Sequence, residues 1–222
     1  MSETLPLFPL GTVLYPGLLL PLHIFEERYR QLMHDLLDGS RPQHFGVIAI
    51  REGRETGVDG VASLYEIGCV AALRRVNRHD DGRFDVVTAG TRRFRLLNLD
   101  ESRPYLQGEA DLLAEDTGDQ AAAKLAAQAV QTAFRGYLDA LARPGMTRIS
   151  VPDLPEDPVA LSYLVAASML IELPDKQVLL AEPDAVARLT AERVLLSRET
   201  TMLRSLTAAP APDLRYSPYS SN

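Results

Sequence analysis

Across residues 5–24 large apolar side chains crowd together without forming a helical stripe, because Pro6, Pro9, Pro16 and Pro21 recur at short intervals. Proline lacks a backbone donor and disfavours helix at its own position and at the one before it. The stretch predicts short extended pieces, "LPLFPL" and "VLYPGLLLPLHIF", with a turn at Gly11 and a kink or bulge at Pro16–Gly17. From Phe25 the period changes. Phe25, Tyr29, Leu32, Met33, Leu36 and Leu37 fall on one face of a helix that Gly39 stops. Phe25, Tyr29, Leu32 and Leu36 are expected to be buried there. Glu26 and Glu27 occupy the first turn, where the helix dipole favours acids.

Strand patterns then return. "HFGVIAI" (44–50) is followed by the glycine-laden loop "REGRETGVDG", and "SLYEIGCVAALRRV" (63–76) by the turn chemistry of "NRHDDG" (77–82). That turn predicts a hairpin with "RFDVVTAG" (83–90), and "RRFRLLNLD" (92–100) and "YLQGEADLL" (105–113) complete the β set. Short strands with one early helix point to a small barrel or a twisted pair of sheets, not to βαβ units.

Beyond residue 116 the composition shifts to alanine and leucine. Val130, Phe134, Tyr137, Leu138 and Leu141 mark one face of a helix that Pro144–Gly145 ends. Asp157 and Pro158 read as N-cap and first residue of the next helix, lined by Leu161, Leu164, Val165 and Ser168. "LPDKQVLL" is a short helix stopped before Pro183, and Asp184 caps a long one carrying Leu189, Leu196 and Leu203. The reading is α+β: a β unit over 1–115, a helical bundle over 118–206, and a Pro/Ser/Ala-rich tail, 207–222, that reads as disordered. The linker at 114–118 is too short for the two units to move independently.

Charge and cysteine content narrow the classes. A net charge of −7 argues against a dedicated nucleic-acid binder. The single cysteine, Cys69, makes neither an internal disulfide nor a thiolate metal cluster, which places the chain in a reducing cytoplasm. The opening has no positive n-region, and no apolar run approaches the roughly 18–20 residues of a membrane-spanning helix. No membrane partner is expected.

Catalytic motifs are missing. The two lysines, Lys124 and Lys176, are not preceded by glycine and have no serine three residues before them, so neither a P-loop nor a Ser-x-x-Lys pair exists. His23, His34, His44 and His79 form no i, i+4 pair and no H-E-x-x-H, so neither metal nor cofactor is expected. Cys69 between Gly68 and Val70 reads as an inert buried thiol, although a pocket placing it near His23 or His44 would make a hydrolase. Arg74, Arg75, Arg78, Arg92, Arg93 and Arg95 cluster on two neighbouring strand regions. They are either solvated edge charge or, through Arg74, Arg93 and Arg95, a groove for an anionic segment such as RNA.

At this point the residues resemble a known family. "LPLFPLGTVLYPGLLLPLHIFEERYRQLM" is similar to the opening signature of the Lon protease N-terminal, substrate-binding domain in its stand-alone form. The resemblance runs through "IGCVAALRRV" and "DDGRFDVVTAGTRRFRLL" into "DKQVLLAEPDAVARL", covering residues 4–206. The matched positions are Pro6, Phe8, Pro9, Leu10, Pro16, Gly17, Pro21, Leu22, Phe25, Glu26, Arg28 and Tyr29, then Gly68, Gly90, Arg93 and Phe94. Tyr15 stands where the family often has Phe, and Glu27 where Pro is common.

The resemblance implies a PUA-like β-barrel followed by a helical bundle, and a non-catalytic module for unfolded or tagged polypeptides in the setting of a protease system. The AAA+ and Ser-Lys protease parts have no counterpart after residue 206, so degradation is not implied. If the module grips polypeptides, the kinked segment Tyr15–Pro16–Gly17–Leu18 is the expected surface, with Tyr15 and Leu18 facing outward. A groove between barrel and bundle is a second candidate.

Overall fold

The structure, a computed structural model, describes residues 2–39, 42–53, 61–142 and 154–208. The stop at Pro144–Gly145 and the tail from 209 lie outside them. The proline-spaced opening is extended, as its chemistry requires. It forms β1 (Ser2–Leu10) and β2 (Leu19–Ile24), and α1 (Glu27–Leu37) follows. Next come β3 (His44–Gly53), β4 (Val61–Leu64), β5 (Ile67–Arg78), β6 (Phe84–Asp100) and β7 (Gln107–Leu112).

The sheet runs β1-β7-β6-β5-β3-β4, and a parallel β1–β3 pairing closes it into a barrel. Strand β6 carries both patterns that the sequence suggested as separate strands, because bulged pairing with β5 bends it around the wall. Its first half pairs with β2 and its second half with β7. Gly90 sits at the changeover, where an added Cβ would lie 2.2 Å from the Tyr15 carbonyl oxygen.

Helix α1 plugs one end of the barrel. Tyr29, Leu32, Met33 and Leu36 are buried, and Tyr29 stacks on Phe8 with ring centroids 4.1 Å apart. Each fully buried large side chain of this kind contributes about 1.5–3 kcal/mol. Phe25 departs from this face. The helix begins two residues later, so Phe25 continues the alternation of β2 and is 53% exposed.

The remaining helices are α2 (Gln120–Leu141), α3 (Pro158–Ser168), α4 (Leu173–Ala181) and α5 (Ala185–Ala208). Asp119 caps α2, Asp157 caps α3 just before Pro158, and Asp184 accepts from Ala187 N–H at the start of α5. Val130, Phe134, Tyr137, Leu161, Val165, Leu189 and Leu196 form the bundle core. A separate apolar cluster of Tyr15, Ile67, Tyr163, Leu179 and Leu180 joins barrel to bundle.

Candidate functional site

Tyr15 is part of that junction and not of the surface. It is 1% exposed, its ring lies 6.1 Å from Tyr163, and its hydroxyl donates to the Lys176 carbonyl at 2.8 Å. Burial raises the phenol well above its ordinary range, so it stays a donor. Pro16 is buried and Leu18 half-buried against the same cluster. The expected outward-facing segment is thereby corrected. Gly17, at φ 81°, reverses the chain, and its N–H and the Leu18 carbonyl both bond to Gly90. That reversal aims Tyr15 inward.

The arginine groove is corrected in the same way. Arg93 is buried, while Arg74 and Arg95 are exposed. The register between β5 and β6 shifts between Cys69 and Ala71, and the resulting bulge turns Arg93 into the junction. There Nε donates to Glu115 at 3.1 Å, Nη1 to the carbonyls of Leu180 and Glu182, and Nη2 to that of Pro183. The guanidinium satisfies carbonyls at and beyond the C-terminal end of α4, where the helix dipole favours a cation.

The hydrolase arrangement finds no support. Cys69 is buried, and burial pushes its thiol up to about 12. His44 lies 3.8 Å from Glu3, and His23 Nδ1 donates to the Asp85 carboxylate at 2.6 Å. His79 takes the other carboxylate oxygen of Asp85 at 2.7 Å. These two contacts, that of His23 first, hold the Asp85 carboxyl below its usual range.

What the fold does assemble is an open edge. Strand β2 pairs with β6 and, among the described residues, with no other strand. The Gly90 N–H to Leu18 carbonyl bond sets the parity of this ladder. Backbone groups of Leu20, Leu22 and Ile24 therefore point at β6, and those of Leu19, Pro21 and His23 point away from it. Pro21, with no N–H to give, occupies a position where β6 asks for none. Leu20, Leu22 and Ile24 face the core, while Leu19 is 67% exposed and Pro21, His23 and Phe25 are also exposed.

Beside this edge runs a groove of about 200 Å³ lined by Phe8, Pro9 and Leu10 of β1, by residues 21–24 of β2, and by Phe25, Glu26 and Tyr29. The lining is mostly apolar, with His23 and Glu26 the polar exceptions. Sequence reading missed this strip, although Leu19, Pro21, His23 and Phe25 alternate with the core residues of β2. The signal lay in that period of two, obscured by assigning Phe25 to the helix.

Comparison with known proteins returns a consistent picture. The family model described as "ATP-dependent protease La (LON) substrate-binding domain" matches residues 4–198. Lon protease 2 of Myxococcus xanthus is 27% identical over 216 residues, covering 92% of this chain and 24% of the relative. Lon protease of Escherichia coli K12 is 25% identical over 203 residues, covering 90% and 25%. The chain thus spans about a quarter of the length of these curated relatives. Among solved structures, a Lon N-terminal domain protein from Xanthomonas campestris superposes with a TM-score of 0.61 at 22% identity, covering 94% of this chain and 99% of its own. The N-terminal domain of Mycobacterium avium complex Lon protease gives 0.59 at 16%, covering 90% and 98%.

Proposed function

The chain belongs to the LON substrate-binding domain family, and from that premise we propose that it holds extended segments of unfolded polypeptide along the free edge of β2, without chemical turnover. One observation carries the reading: a strand edge unpaired among the described residues, with exposed Leu19 and Phe25, bordered by the mostly apolar groove between β1 and β2. An extended segment added there gains backbone hydrogen bonds whatever its sequence, and the groove takes alternate side chains.

The edge is built to bind briefly. Pro21 removes one donor from the edge and Pro9 stands in β1 across the groove, which blunts the unlimited pairing that a bare edge invites. Burying the exposed parts of Leu19 and Phe25 adds about 1–3 kcal/mol each. Such a sum suits repeated capture and release of many sequences. The partners on this reading are unfolded or tagged polypeptides within a protease system, with the ATPase and peptidase steps supplied by other domains or chains. The family relationship supports that setting.

The experiment is fluorescence anisotropy with a reduced, alkylated and therefore permanently unfolded protein as probe. Leu19→Ser combined with Phe25→Ser weakens capture by tenfold or more, about 1.4 kcal/mol, and leaves the melting temperature in place. Unchanged affinity in that variant overturns the assignment.

A further inference from the structure

The outer face of the sheet next to the β2 edge carries a second, differently charged groove. Its rows follow from the register. Pro21 of β2 lies opposite Val87 of β6, which lies opposite Arg75 of β5. The next row is His23, Asp85 and Asn77. A groove of about 370 Å³ runs over these rows, and Leu22 and Val86 complete its floor. It shares Pro21, Leu22 and His23 with the groove between β1 and β2, so the two are continuous.

Like Arg74, Arg92, Arg95, Arg135 and Arg193, Arg75 holds no carboxylate among the described residues, and of these it is Arg75 that lines the groove. Arg30, Arg83, Arg103 and Arg198 each sit within 3.1 Å of a carboxylate oxygen. Arg75 is exposed and holds no hydrogen bond or ion pair among the described residues, although the chain has 30 acidic side chains to offer. The acid nearest to it in the ladder, Asp85, already serves two histidines. A guanidinium left free beside an apolar floor is complementary to a carboxylate carried on an apolar segment.

We propose that this face makes the module selective for polypeptide segments in which apolar residues adjoin Asp or Glu. The apolar side chains lie over Pro21 and Val87 and a carboxylate meets Arg75. This deepens the reading of the β2 edge as a polypeptide site and rests on it. A nucleic acid fits the face poorly. Phosphate chains need several cations in line, and this groove is lined by a single arginine.

The test uses two fluorescein-labelled peptides with the same apolar core, one ending in Asp-Glu-Asp and the other in Asn-Gln-Asn. At low salt the acidic probe binds at least tenfold more tightly, and the advantage shrinks as salt shortens the screening length. Arg75→Glu abolishes the advantage and leaves the neutral probe unchanged. Arg75→Ala, with an unchanged melting temperature, reduces the advantage in the same direction. Equal binding of the two probes to the natural chain overturns the acid preference and leaves the β2-edge reading standing. An advantage that survives Arg75→Glu assigns the preference elsewhere and overturns the proposal. Failure of both probes to bind overturns the edge reading and the preference together. Tighter binding of a single-stranded oligouridine than of the acidic peptide overturns it in favour of RNA.

Discussion

The hydroxyl of Tyr15, at the first corner of the barrel, donates to the backbone carbonyl of Lys176 in α4, 161 residues away in the chain. This contact makes a residue of the apolar opening into a fastening between barrel and bundle. Tyr15→Phe keeps the ring and loses the bond, which costs about 1 kcal/mol and lowers the melting temperature by roughly 2–4 °C. Tyr15→Ala removes the buried ring as well and costs about 3–5 kcal/mol. Urea denaturation checks both values. Polypeptide capture by Tyr15→Phe at a temperature where it is folded stays at the natural level, because the side chain is not on the surface.

Arg93 is the second fastening, and its loss is more severe. Arg93→Met strands the carbonyls of Leu180 and Pro183, leaves the Glu182 carbonyl to Arg188 alone, and leaves Glu115 without its guanidinium. Breaking a buried charged network from one side costs about 3–5 kcal/mol. Arg93→Lys recovers only part, since an ammonium lacks the planar fork that reaches both the Glu115 side and the carbonyl side. Hydrogen exchange of amides 177–182, 184, 185 and 113 is the local readout, and an exchange pattern like that of the natural chain would refute the assignment.

Glu192 supplies a pH dependence. Its side chain is fully buried on α5, neither carboxyl oxygen has a hydrogen-bond partner among the described residues, and desolvation raises its pKa well above the usual 4.5 despite Arg188. Below about pH 4.5 the folded and unfolded chains both carry the proton. Above it only the folded chain does, so this group's contribution falls by about 1.4 kcal/mol per pH unit until the folded-state pKa is passed. Glu192→Leu removes that loss and two orphaned oxygens. The gain in stability over the natural chain therefore widens between pH 5 and pH 8 in denaturation curves. Parallel pH profiles for the two proteins would count against a protonated Glu192.

Cys69 gives a chemical test of the non-catalytic reading. With its thiol pushed up to about 12, roughly one molecule in ten thousand carries a thiolate at pH 8. Alkylation by iodoacetamide proceeds only as fast as the barrel opens and accelerates sharply in urea. Rapid stoichiometric labelling of the folded protein would instead reveal an activated nucleophile.

Much of this architecture was legible in the chain because local chemistry decides it. Proline spacing enforces extended backbone over residues 5–24, a 3.6 period from Tyr29 to Leu36 builds the plug, and Asp157 before Pro158 starts a helix. The site residues were harder because register decides them. A single bulge separates exposed Arg92 from buried Arg93, and no pattern in "TRRFR" announces it. Tyr15 and Phe25 exchanged environments for similar reasons. The turn at Gly17 sends the first inward, and a helix starting at Glu27 leaves the second on the strand's outer side. His23 and Asp85 meet only because β2 pairs with β6 across 62 positions.

The clamp that Arg93 places on the end of α4 has a mechanical consequence. Helix α5 starts just beyond that clamp and runs 24 residues, about 36 Å, away from it. Its first turn is tied back by Arg188, which donates to the Leu179 and Glu182 carbonyls on the same stretch that Arg93 holds. Two guanidiniums from different halves of the molecule thus grip one short length of backbone. A load applied along α5 therefore passes into the barrel wall through Arg93 with no slack segment to stretch first. Helix α5, packed through Leu189 and Leu196 into the bundle core, thus ties that core to β6, the strand against which β2 lies.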